Sequence, residues 1–498
     1  MASIKKVAVI GAGLGGLSAA ARLASNGFQV DIYEQNKSAG GKANNLKFDG
    51  FRFDTGPSLL TMPFVLEELF NDCGERLSDY LELKKLELTC KYFFPDNTIL
   101  NAFSDQKRFA EEIALKTSDS KESVIKYFKY SEDIYTLTSD LFLYNSPSQV
   151  STYLSKKALT ALLNLKKIDT LRTMHKANAS FFKDKKTVQL FDRYATYNGS
   201  NPYLAPATLN IIQHVESKLG AYVPANGIYS ISEAIEALVK KKGGNIFYES
   251  KVSSILTDGN AVRGIKVNEA EKEYDAVVSN ADVNYTFKYL LNDSVLSESK
   301  KLRKLQPSLS GVVFYWGIKG TYKKLDIHNI LFSEDYEKEF FEIFEKKICP
   351  VDPTVYIYIS SKYNNDDAPA GCENWFVMIN APFNENQIWE DEIRKTRERI
   401  INKVNSMLGI NIKDKIIAES ILSPVEIESK TSSYRGSIYG ISSNSKTAAF
   451  LRQNNKSSSL KGLYFCGGSA HPGGGIPLVI LSGKIASELI IKYEHNDD

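Results

Sequence analysis

Two clusters of glycine, one near each end of the chain, are the residues best suited to bind a phosphate-bearing cofactor. The first is Gly11-Ala12-Gly13-Leu14-Gly15-Gly16, and the second lies between Gly467 and Pro477. Backbone without side chains can approach a pyrophosphate closely, and free N–H groups at a helix N-terminus stabilise its negative charge. The two clusters predict a dinucleotide held between the two ends of the chain.

The elements around the first cluster have the order that a dinucleotide-binding turn requires. Residues 7–10 are apolar and predict a buried parallel strand, residues 17–24 predict a helix, and residues 29–34 predict a second strand. Glu34 ends that second strand, where a carboxylate can accept hydrogen bonds from the ribose of an adenosine. This pattern alone does not separate NAD from FAD.

Two further segments favour FAD. Residues 36–42 add a glycine turn, Gly40-Gly41, with Lys42 beside it, and this cation is suited to the same pyrophosphate. Residues 53–58 predict a compact loop that contacts an isoalloxazine ring through its backbone. An ordinary β-turn explains this second segment equally well.

The second glycine cluster predicts a helix N-terminus at the flavin. Residues 463–466 form a short apolar run, and the glycines that follow lead into a helix beginning at Ile476. Pro477 fits the first turn of that helix, where a missing N–H costs nothing. Such an N-terminus stabilises negative charge on a reduced flavin.

Composition excludes several other classes of function. The chain has 498 residues, and its net charge of +3 comes from 62 basic and 59 acidic side chains, which argues against nucleic-acid binding. The five cysteines and five histidines are scattered without metal-ligand spacing, so no metal site is predicted. No run reaches the roughly 18 apolar residues of a membrane span. These features predict a cytoplasmic protein.

Nucleotide-type signals occur in three blocks, which predicts an α/β protein with a discontinuous cofactor domain. The cofactor domain takes residues 1–90, 220–290 and 435–498, and residues 91–219 and 291–434 build a second domain. In the middle block, residues 243–252 predict a glycine turn leading into one strand, and residues 274–281 predict a buried strand. The first insertion is helical, with an aromatic stripe over residues 127–142 that is more typical of core than of a binding site. The second insertion contains strand-like runs such as residues 311–316. These runs are consistent with a sheet beneath a binding pocket, and also with a sheet that has only a structural role.

One segment has the pattern of a membrane-surface helix. Residues 156–167 place leucines between paired lysines, so the apolar side chains can enter a bilayer interface while the ammonium groups stay at headgroup level. A surface helix packed on the protein itself explains the pattern equally well.

Taken together, the motifs resemble those of the bacterial-type phytoene desaturases, the carotenoid branch of the FAD-dependent amine oxidase-like flavoproteins. The resemblance covers nearly the whole chain. Its motifs comprise the two glycine clusters, Glu34, residues 40–42, 54–58, 199–203, 222–227 and 436–440. Two positions depart from the family pattern: residues 225–227 are less glycine-rich than usual, and Gly474 stands where a small side chain is commoner. Both leave the substrate open.

The resemblance implies a Rossmann-like FAD-binding domain (GR2/amine oxidase-like) with a mixed α+β substrate domain inserted, and FAD as cofactor. The residues predicted to bind FAD are Gly11, Gly13, Leu14, Gly15, Gly16, Glu34, Gln35, Gly41, Lys42, Gly56, Pro57, Ser58, Val252, Gly467, Gly468, Gly475, Ile476 and Pro477. Tyr439, His471 and Arg193 are candidates for the substrate pocket, although a structural role suits each of them better. No catalytic acid or base is assigned.

The activity implied by the resemblance is desaturation of a long acyclic carotenoid in an apolar tunnel. A hydride goes to flavin N5, and the branch that matches best acts at the 3,4 position of a 1-hydroxylated carotenoid such as a hydroxy-γ-carotene. Phytoene or diapophytoene desaturation, carotenoid oxygenation and flavin amine oxidation remain alternatives, and a non-catalytic isoprenoid escort is a further one. The expected partners are the carotenoid, the surface of the cytoplasmic membrane, where the protein binds peripherally, and a quinone or oxygen as electron acceptor.

Overall fold

A computed structural model describes residues 5–145, 164–291, 297–445 and 452–494. The strands are Lys6–Ile10 (β1), Gln29–Tyr33 (β2), Asn45–Phe48 (β3), Phe51–Asp54 (β4), Leu60–Thr61 (β5), Leu83–Lys85 (β6), Leu88–Phe93 (β7), Ile99–Phe103 (β8), Ala221–Pro224 (β9), Asn245–Phe247 (β10), Val252–Asp258 (β11), Ala261–Val267 (β12), Ala270–Glu273 (β13), Ala276–Ser279 (β14), Ser310–Lys319 (β15), His328–Leu331 (β16), Val355–Tyr358 (β17), Cys372–Ala381 (β18), Ile416–Leu422 (β19) and Leu463–Phe465 (β20).

The helices are Leu14–Ser25 (α1), Pro63–Asp72 (α2), Gln106–Lys116 (α3), Lys121–Phe142 (α4), Leu165–Ile168 (α5), Met174–Phe181 (α6), Lys185–Asp192 (α7), Ile211–Ser217 (α8), Tyr229–Lys241 (α9), Val283–Tyr285 (α10), Ser297–Leu302 (α11), Tyr336–Phe341 (α12), Trp389–Leu408 (α13), Pro424–Thr431 (α14) and Ile476–Glu494 (α15).

A five-stranded parallel sheet joins the two ends of the chain. Its strand order is β10-β2-β1-β14-β20, so the first strand lies in the middle and the last strand forms one edge. Val7 and Val9 of β1 are fully buried, as expected for a parallel strand covered on both faces. The strands come from all three blocks that the sequence assigns to the cofactor domain. The domain boundaries themselves stay a prediction, and β7 crosses the one placed at residue 90.

Helices α1 and α15 pack together on this sheet. The Ser18 hydroxyl of α1 donates to the carbonyl of Ile480 in α15 at 2.8 Å. A Cβ at Gly483 of α15 would collide with the carbonyl oxygen of Gly15, so the two helices approach each other closely at a glycine. The predicted helix at residues 17–24 is confirmed, and it begins one turn earlier, at Leu14.

The largest sheet of the described residues is a seven-stranded mixed sheet. Its order is β19-β15-β18-β17-β16-β7-β8, with one parallel pair, β16 and β7. Trp316 of β15 and Trp375 of β18 face each other in register, and both are fully buried in the cluster that includes residues of α13. The strand predicted at residues 311–316 is the middle of β15.

The helical insertion packs around Tyr127 of α4. Its ring is buried and lies against Phe182 and Phe191, at centroid distances of 5.1 Å and 4.4 Å. The aromatic stripe of α4 therefore includes core residues, as its spacing predicts. Most of the leucine–lysine segment at residues 156–167 lies outside the described residues.

Two local predictions differ from the structure in their bounds. The glycine turn at residues 243–244 leads into a strand, β10, as predicted, but this strand pairs with β2 only as far as Phe247, and the chain turns at residues 248–251 before β11 begins. The compact loop predicted at residues 53–58 begins only after Asp54, since Phe53 and Asp54 belong to β4 and pair with β3. Across the described ranges, no helix has the length and apolar character needed to cross a bilayer.

Candidate functional site

The first glycine cluster forms a tight turn at the end of β1. Gly11 has a φ of +93° and donates to the carbonyl of Tyr33 at 2.8 Å. Gly13 caps α1 without any side-chain hydrogen bond, which leaves the first N–H groups of the helix, including those of Leu14 and Gly15, available to an anion. A Cβ at Gly16 would collide with the Gly11 carbonyl, so this glycine lets the helix approach the sheet.

Glu34 is fixed beside this turn by three hydrogen bonds. One carboxylate oxygen accepts from the amide of Ala12 at 2.8 Å, and the other accepts from the amide and side chain of Asn36 at 2.8 Å and 2.7 Å. The side chain is only 4% exposed. Neighbouring Gln35 donates to the carbonyl of Lys430 at 3.1 Å. The acid is therefore fixed beside the glycine turn, and its contact with a ribose stays a prediction.

The second glycine turn lies directly on the first. Gly40 donates to the carbonyl of Ala12 at 2.8 Å, and a Cβ at Gly41 would lie 3.4 Å from the Gly13 Cα. The Lys42 ammonium donates to the carbonyls of Ile438, at 2.7 Å, and Ser437. In this structure Lys42 thus ties the turn to residues 437–438, and its predicted contact with a pyrophosphate stays a prediction.

Burial sets the electrostatics of this region. Burial lowers the pKa of Lys42 to about 8, against the opposing effect of the Asp282 carboxylate. The same desolvation raises the pKa of Asp282, and the Lys42 charge opposes it. Sequence reasoning missed Asp282, which follows β14 at the carboxyl edge of the parallel sheet.

Asp54 holds the loop that follows β4. Its carboxylate accepts from the amides of Ile228 and Tyr229, both at 3.0 Å, and from Arg52 at 2.8 Å. The N–H groups at the N-terminus of α9 have no partner within the helix, and the Asp54 side chain thereby satisfies two of them.

The loop itself, residues 55–58, is packed between the two sheets. A Cβ at Gly56 would collide with the Lys42 carbonyl, and Pro57 leads to Ser58, whose hydroxyl lies 2.6 Å from the Tyr356 hydroxyl. The Tyr315 hydroxyl donates to the Thr55 carbonyl at 2.8 Å. Strands of the seven-stranded sheet thus position the predicted flavin loop.

The C-terminal cluster meets the first cluster through Asn280. A Cβ at Gly467 would lie 2.7 Å from the Asn280 amide oxygen, and one at Gly13 would lie 2.6 Å from its amide nitrogen. Asn280 also donates to the Gly11 carbonyl at 3.3 Å. The sequence analysis missed this residue, and the only available signal is its place at the end of the buried strand β14.

The remaining residues of that cluster lead into α15. Gly475 has a φ of +107° and open space around it, and Ile476 and Pro477 begin the helix as predicted. Gly468 accepts a hydrogen bond from Arg452 at 3.0 Å through its carbonyl. A nucleotide can approach the backbone at Gly468 and Gly475 because these two residues have no side chain.

Arg452 is a second buried residue that the sequence analysis missed. Its guanidinium donates to the carbonyls of Tyr439, at 2.9 Å, and Ile441, at 3.0 Å, as well as to that of Gly468. Burial lowers its pKa to about 10. Arg452 therefore joins the C-terminal cluster to the loop that carries Tyr439.

The three predicted pocket residues occupy different places. The Tyr439 ring packs against the backbone of Gly474, where a Cβ would lie 2.6 Å from it. The His471 Nε2 lies 3.0 Å from the carbonyl of Asn145, and burial lowers its pKa to about 4. Arg193 lies in the helical layer above the seven-stranded sheet. The structure brings only Tyr439 and His471 to the C-terminal glycine cluster.

Val252 begins β11 and is buried beside the end of β2. It packs in one cluster with Tyr33, and the nearby amide of Ser250 donates to the Glu34 carbonyl at 2.8 Å. This places Val252 on the Glu34 side of the nucleotide turn. Its contact with FAD stays a prediction.

Two cavities of the described residues are lined by none of the predicted FAD-binding residues. One, of about 250 Å³, is lined by Tyr80, Glu82 and Asn226 among others, and the other, of about 460 Å³, by Lys47, Arg52 and Asp367 among others. Ser58 and Tyr439 line neither. Neither cavity is the apolar tunnel that the sequence predicts.

Comparison with known proteins decides the family. The profile of the flavin containing amine oxidoreductases matches residues 14–491. The chain belongs to this family. It is 42% identical to a 1-hydroxycarotenoid 3,4-desaturase from a Flavobacterium species, over 98% of this chain and 99% of the relative. It is also 33% identical to a 4,4'-diaponeurosporene oxygenase from Staphylococcus haemolyticus, over 99% and 98% of the two chains.

Solved structures show the same fold. Putrescine oxidase bound to putrescine has a TM-score of 0.65 and 12% identity, over 98% of this chain and 99% of its own. An oxidoreductase from Methanosarcina mazei has a TM-score of 0.66 and 17% identity, over 97% and 100%. The predicted fold class and the prediction of an FAD-dependent oxidoreductase are confirmed. The uncapped α1, the fixed Glu34 and the open glycines fit this cofactor.

Proposed function

We propose that this protein is an FAD-dependent carotenoid desaturase that acts at the 3,4 position of a 1-hydroxylated acyclic end. The observation that carries the proposal is the 42% identity to a 1-hydroxycarotenoid 3,4-desaturase over almost the full length of both chains. Such coverage includes both glycine clusters and the sheet between them. A hydroxy-γ-carotene is the type of substrate that this activity would use.

The reaction removes two hydrogens from neighbouring carbons. FAD bound at this site would supply the acceptor for one of them as a hydride, with both electrons of the C–H bond, and the other would leave as a proton as the new C=C bond forms. The positive charge that develops on the substrate is delocalised along the polyene. The protein's contribution is therefore to orient the chain against the cofactor and to exclude water.

The residues of this chain divide that work between them. The N-terminus of α1, Glu34 and the turn at Gly41 would hold the dinucleotide, and the N-terminus of α15 would stabilise negative charge that reaches the flavin ring. The aromatic face of the seven-stranded sheet, with Tyr315 and Tyr356, would orient the apolar substrate above the loop at residues 55–58.

Carotenoid oxygenation is the second candidate. It is favoured by the 33% identity to the 4,4'-diaponeurosporene oxygenase, which also spans nearly the whole chain. The two reactions differ in the fate of oxygen, since only an oxygenase incorporates it into the carotenoid.

Expression in cells that make defined carotenoids separates these candidates. Desaturation is expected to give a product of lower mass by two hydrogens, with an absorption maximum at longer wavelength, from 1-hydroxylated carotenoids and not from phytoene. Incorporation of ¹⁸O from labelled oxygen gas would instead establish the oxygenase. Unchanged pigment in all strains, from protein that carries its flavin, would contradict both.

We also propose that the protein binds the surface of the cytoplasmic membrane and passes its electrons to a quinone or to oxygen. A membrane-dissolved substrate and the leucine–lysine pattern of residues 156–167 support this proposal. Flotation with anionic liposomes is expected for the wild-type chain and not for a variant with the four lysines of that segment changed to glutamate.

A further inference from the structure

Several buried polar atoms have no hydrogen-bond partner among the described residues, and three of them belong to side chains on, or packed against, one face of the seven-stranded sheet. These three atoms are the Tyr92 hydroxyl, the Arg193 Nε and the His328 Nε2. The three residues are at most 6% exposed. Burying a polar group without a partner costs free energy comparable to a lost hydrogen bond, so such a group of atoms is a candidate site for a polar group of a ligand.

Tyr92 and His328 lie on one face of the seven-stranded sheet. Tyr92 of β7 is opposite Ile330 of β16 in the parallel register, and His328 is two residues before Ile330 on the same strand. Residues two apart on a strand share a face, so the two side chains point to the same side of the sheet. On that side, the Arg193 guanidinium lies 5.3 Å from the centre of the Tyr92 ring.

Among the described residues, the carboxylate paired with Arg193 is that of Glu216, and it also accepts from other donors. Glu216 accepts from the Tyr194 hydroxyl at 2.8 Å, from the Tyr197 hydroxyl, and from an Arg193 Nη at 3.4 Å. Arg193 thus keeps its Nε–H for another acceptor. Because the ion pair balances the charge, that acceptor is expected to be a neutral oxygen.

His328 connects this group to the predicted flavin loop. Its Nδ1 lies 2.7 Å from the Tyr356 hydroxyl, which lies 2.6 Å from the Ser58 hydroxyl. Burial, with the Arg193 charge, lowers the pKa of His328 to about 3, so the imidazole is neutral and has one donor and one acceptor nitrogen. The buried Tyr336 hydroxyl also lacks a partner, but it has no such connection to Ser58.

A hydroxyl group placed between these atoms would satisfy all three at once. Its oxygen accepts from the Arg193 Nε–H and the Tyr92 O–H, and its own hydrogen goes to the His328 Nε2. The Nδ1–H of His328 then donates to Tyr356, and Tyr356 donates to Ser58. A carbonyl oxygen would supply only acceptors, and a hydrocarbon end would leave all three atoms unpaired.

We propose that Tyr92, Arg193 and His328 bind the hydroxyl group of the substrate's acyclic end and so determine specificity for hydroxylated chains. The proposal rests on the proposed function and deepens it. In a 1-hydroxycarotenoid the carbon that bears the hydroxyl is two bonds from C3. Anchoring that hydroxyl three hydrogen bonds away from Ser58 would therefore bring the 3,4 bond to the face of the sheet that carries the predicted flavin loop.

The test compares a hydroxylated carotenoid with the same chain lacking the hydroxyl. Tyr92→Phe removes one donor whose loss leaves no protein group unpaired, so the melting temperature is expected to stay unchanged. The ratio of kcat/KM for the hydroxylated chain to that for the other is expected to fall about tenfold, the effect of one buried hydrogen bond. Tyr336→Phe is the matched control and is expected to leave the ratio within twofold.

His328→Phe is a second variant and should give a similar fall in the kcat/KM ratio. A phenyl ring keeps the stacking on Tyr358, whose ring centre lies 5.1 Å from that of His328 in the wild type. An unchanged ratio in folded Tyr92→Phe, or an equal change in Tyr336→Phe, would overturn the proposal. If the wild type converts neither chain, the proposed function fails. In that case the ratio of the Kd for the hydroxylated carotenoid to the Kd for the chain without the hydroxyl still tests the proposal. Quenching of protein fluorescence measures both values in the wild type and in the variants, and so decides whether these residues bind the hydroxyl.

Discussion

Gly15 and Gly467, at opposite ends of the sequence, touch each other in the structure. A Cβ at Gly15 would lie 2.8 Å from the amide nitrogen of Gly467 and 2.7 Å from the amide oxygen of Asn280. Real Cβ atoms do not approach backbone so closely, so both ends of the chain need glycine at this point. The contact closes the site around the predicted dinucleotide.

Gly15→Ala is expected to destabilise the protein by about 1–3 kcal/mol, since the methyl group must displace backbone. Because alanine has a higher helix propensity than glycine, by about 1 kcal/mol, the measured loss of stability is a lower limit on the cost of the close contact. Gly468→Ala is the comparison, because its Cβ would lie at an ordinary 3.6 Å from the Gly474 Cα. Compared without flavin, it should keep the wild-type free energy of unfolding, although it should lose affinity for flavin. Equal stability of both variants in urea would refute the close contact.

Lys42→Met is expected to remove a pH dependence of stability. The pKa of buried Lys42 is about 8 in the folded protein and 10.5 in a model peptide. Between these values the unfolded chain binds the extra proton, so raising the pH stabilises the folded state. The flavin-free wild type should therefore gain up to about 3 kcal/mol over Lys42→Met from pH 8 to pH 10.5.

Urea titrations of both proteins across that pH range measure the difference. Parallel stability curves for the two proteins would show that Lys42 titrates normally. A difference that instead grows as the pH falls below 8 would also contradict the assignment of its pKa.

Asp54→Asn is expected to destabilise the fold by about 3 kcal/mol. The carboxylate, 1% exposed, accepts from Arg52 and from two amides of α9, and an amide group would place a donor against one of these donors. Asp79→Asn, in the exposed pair with Arg76, is the control and should cost less than about 1 kcal/mol. Chemical denaturation monitored by circular dichroism measures both. Similar losses in the two variants would remove the special role of Asp54.

Local motifs were readable from the sequence because their parts are neighbours in the chain. The strand, glycine turn and helix at residues 6–25 follow one another directly, and Glu34 comes directly after the next strand, so periodicity and glycine spacing predict them. The same holds for the strand and helix around Gly467. These predictions need no knowledge of long-range contacts.

The residues that the sequence did not reveal act through such long-range contacts. Asn280 fits between glycines that are separated from it by more than 180 residues, and Arg452 joins Tyr439 to Gly468 by carbonyl contacts. The position of Lys42 in its motif predicts that it binds an anion, yet its ammonium donates to the carbonyl of Ile438. No local pattern distinguishes these side chains from ordinary polar residues in loops.

Anaerobic mixing of the flavin-loaded protein with a purified 1-hydroxycarotenoid tests the central claim most directly. We expect the oxidised flavin absorption to bleach in step with a shift of the carotenoid spectrum to longer wavelength, with one product per flavin reduced. A flavin that stays oxidised with this carotenoid but is reduced by an amine such as putrescine would contradict it.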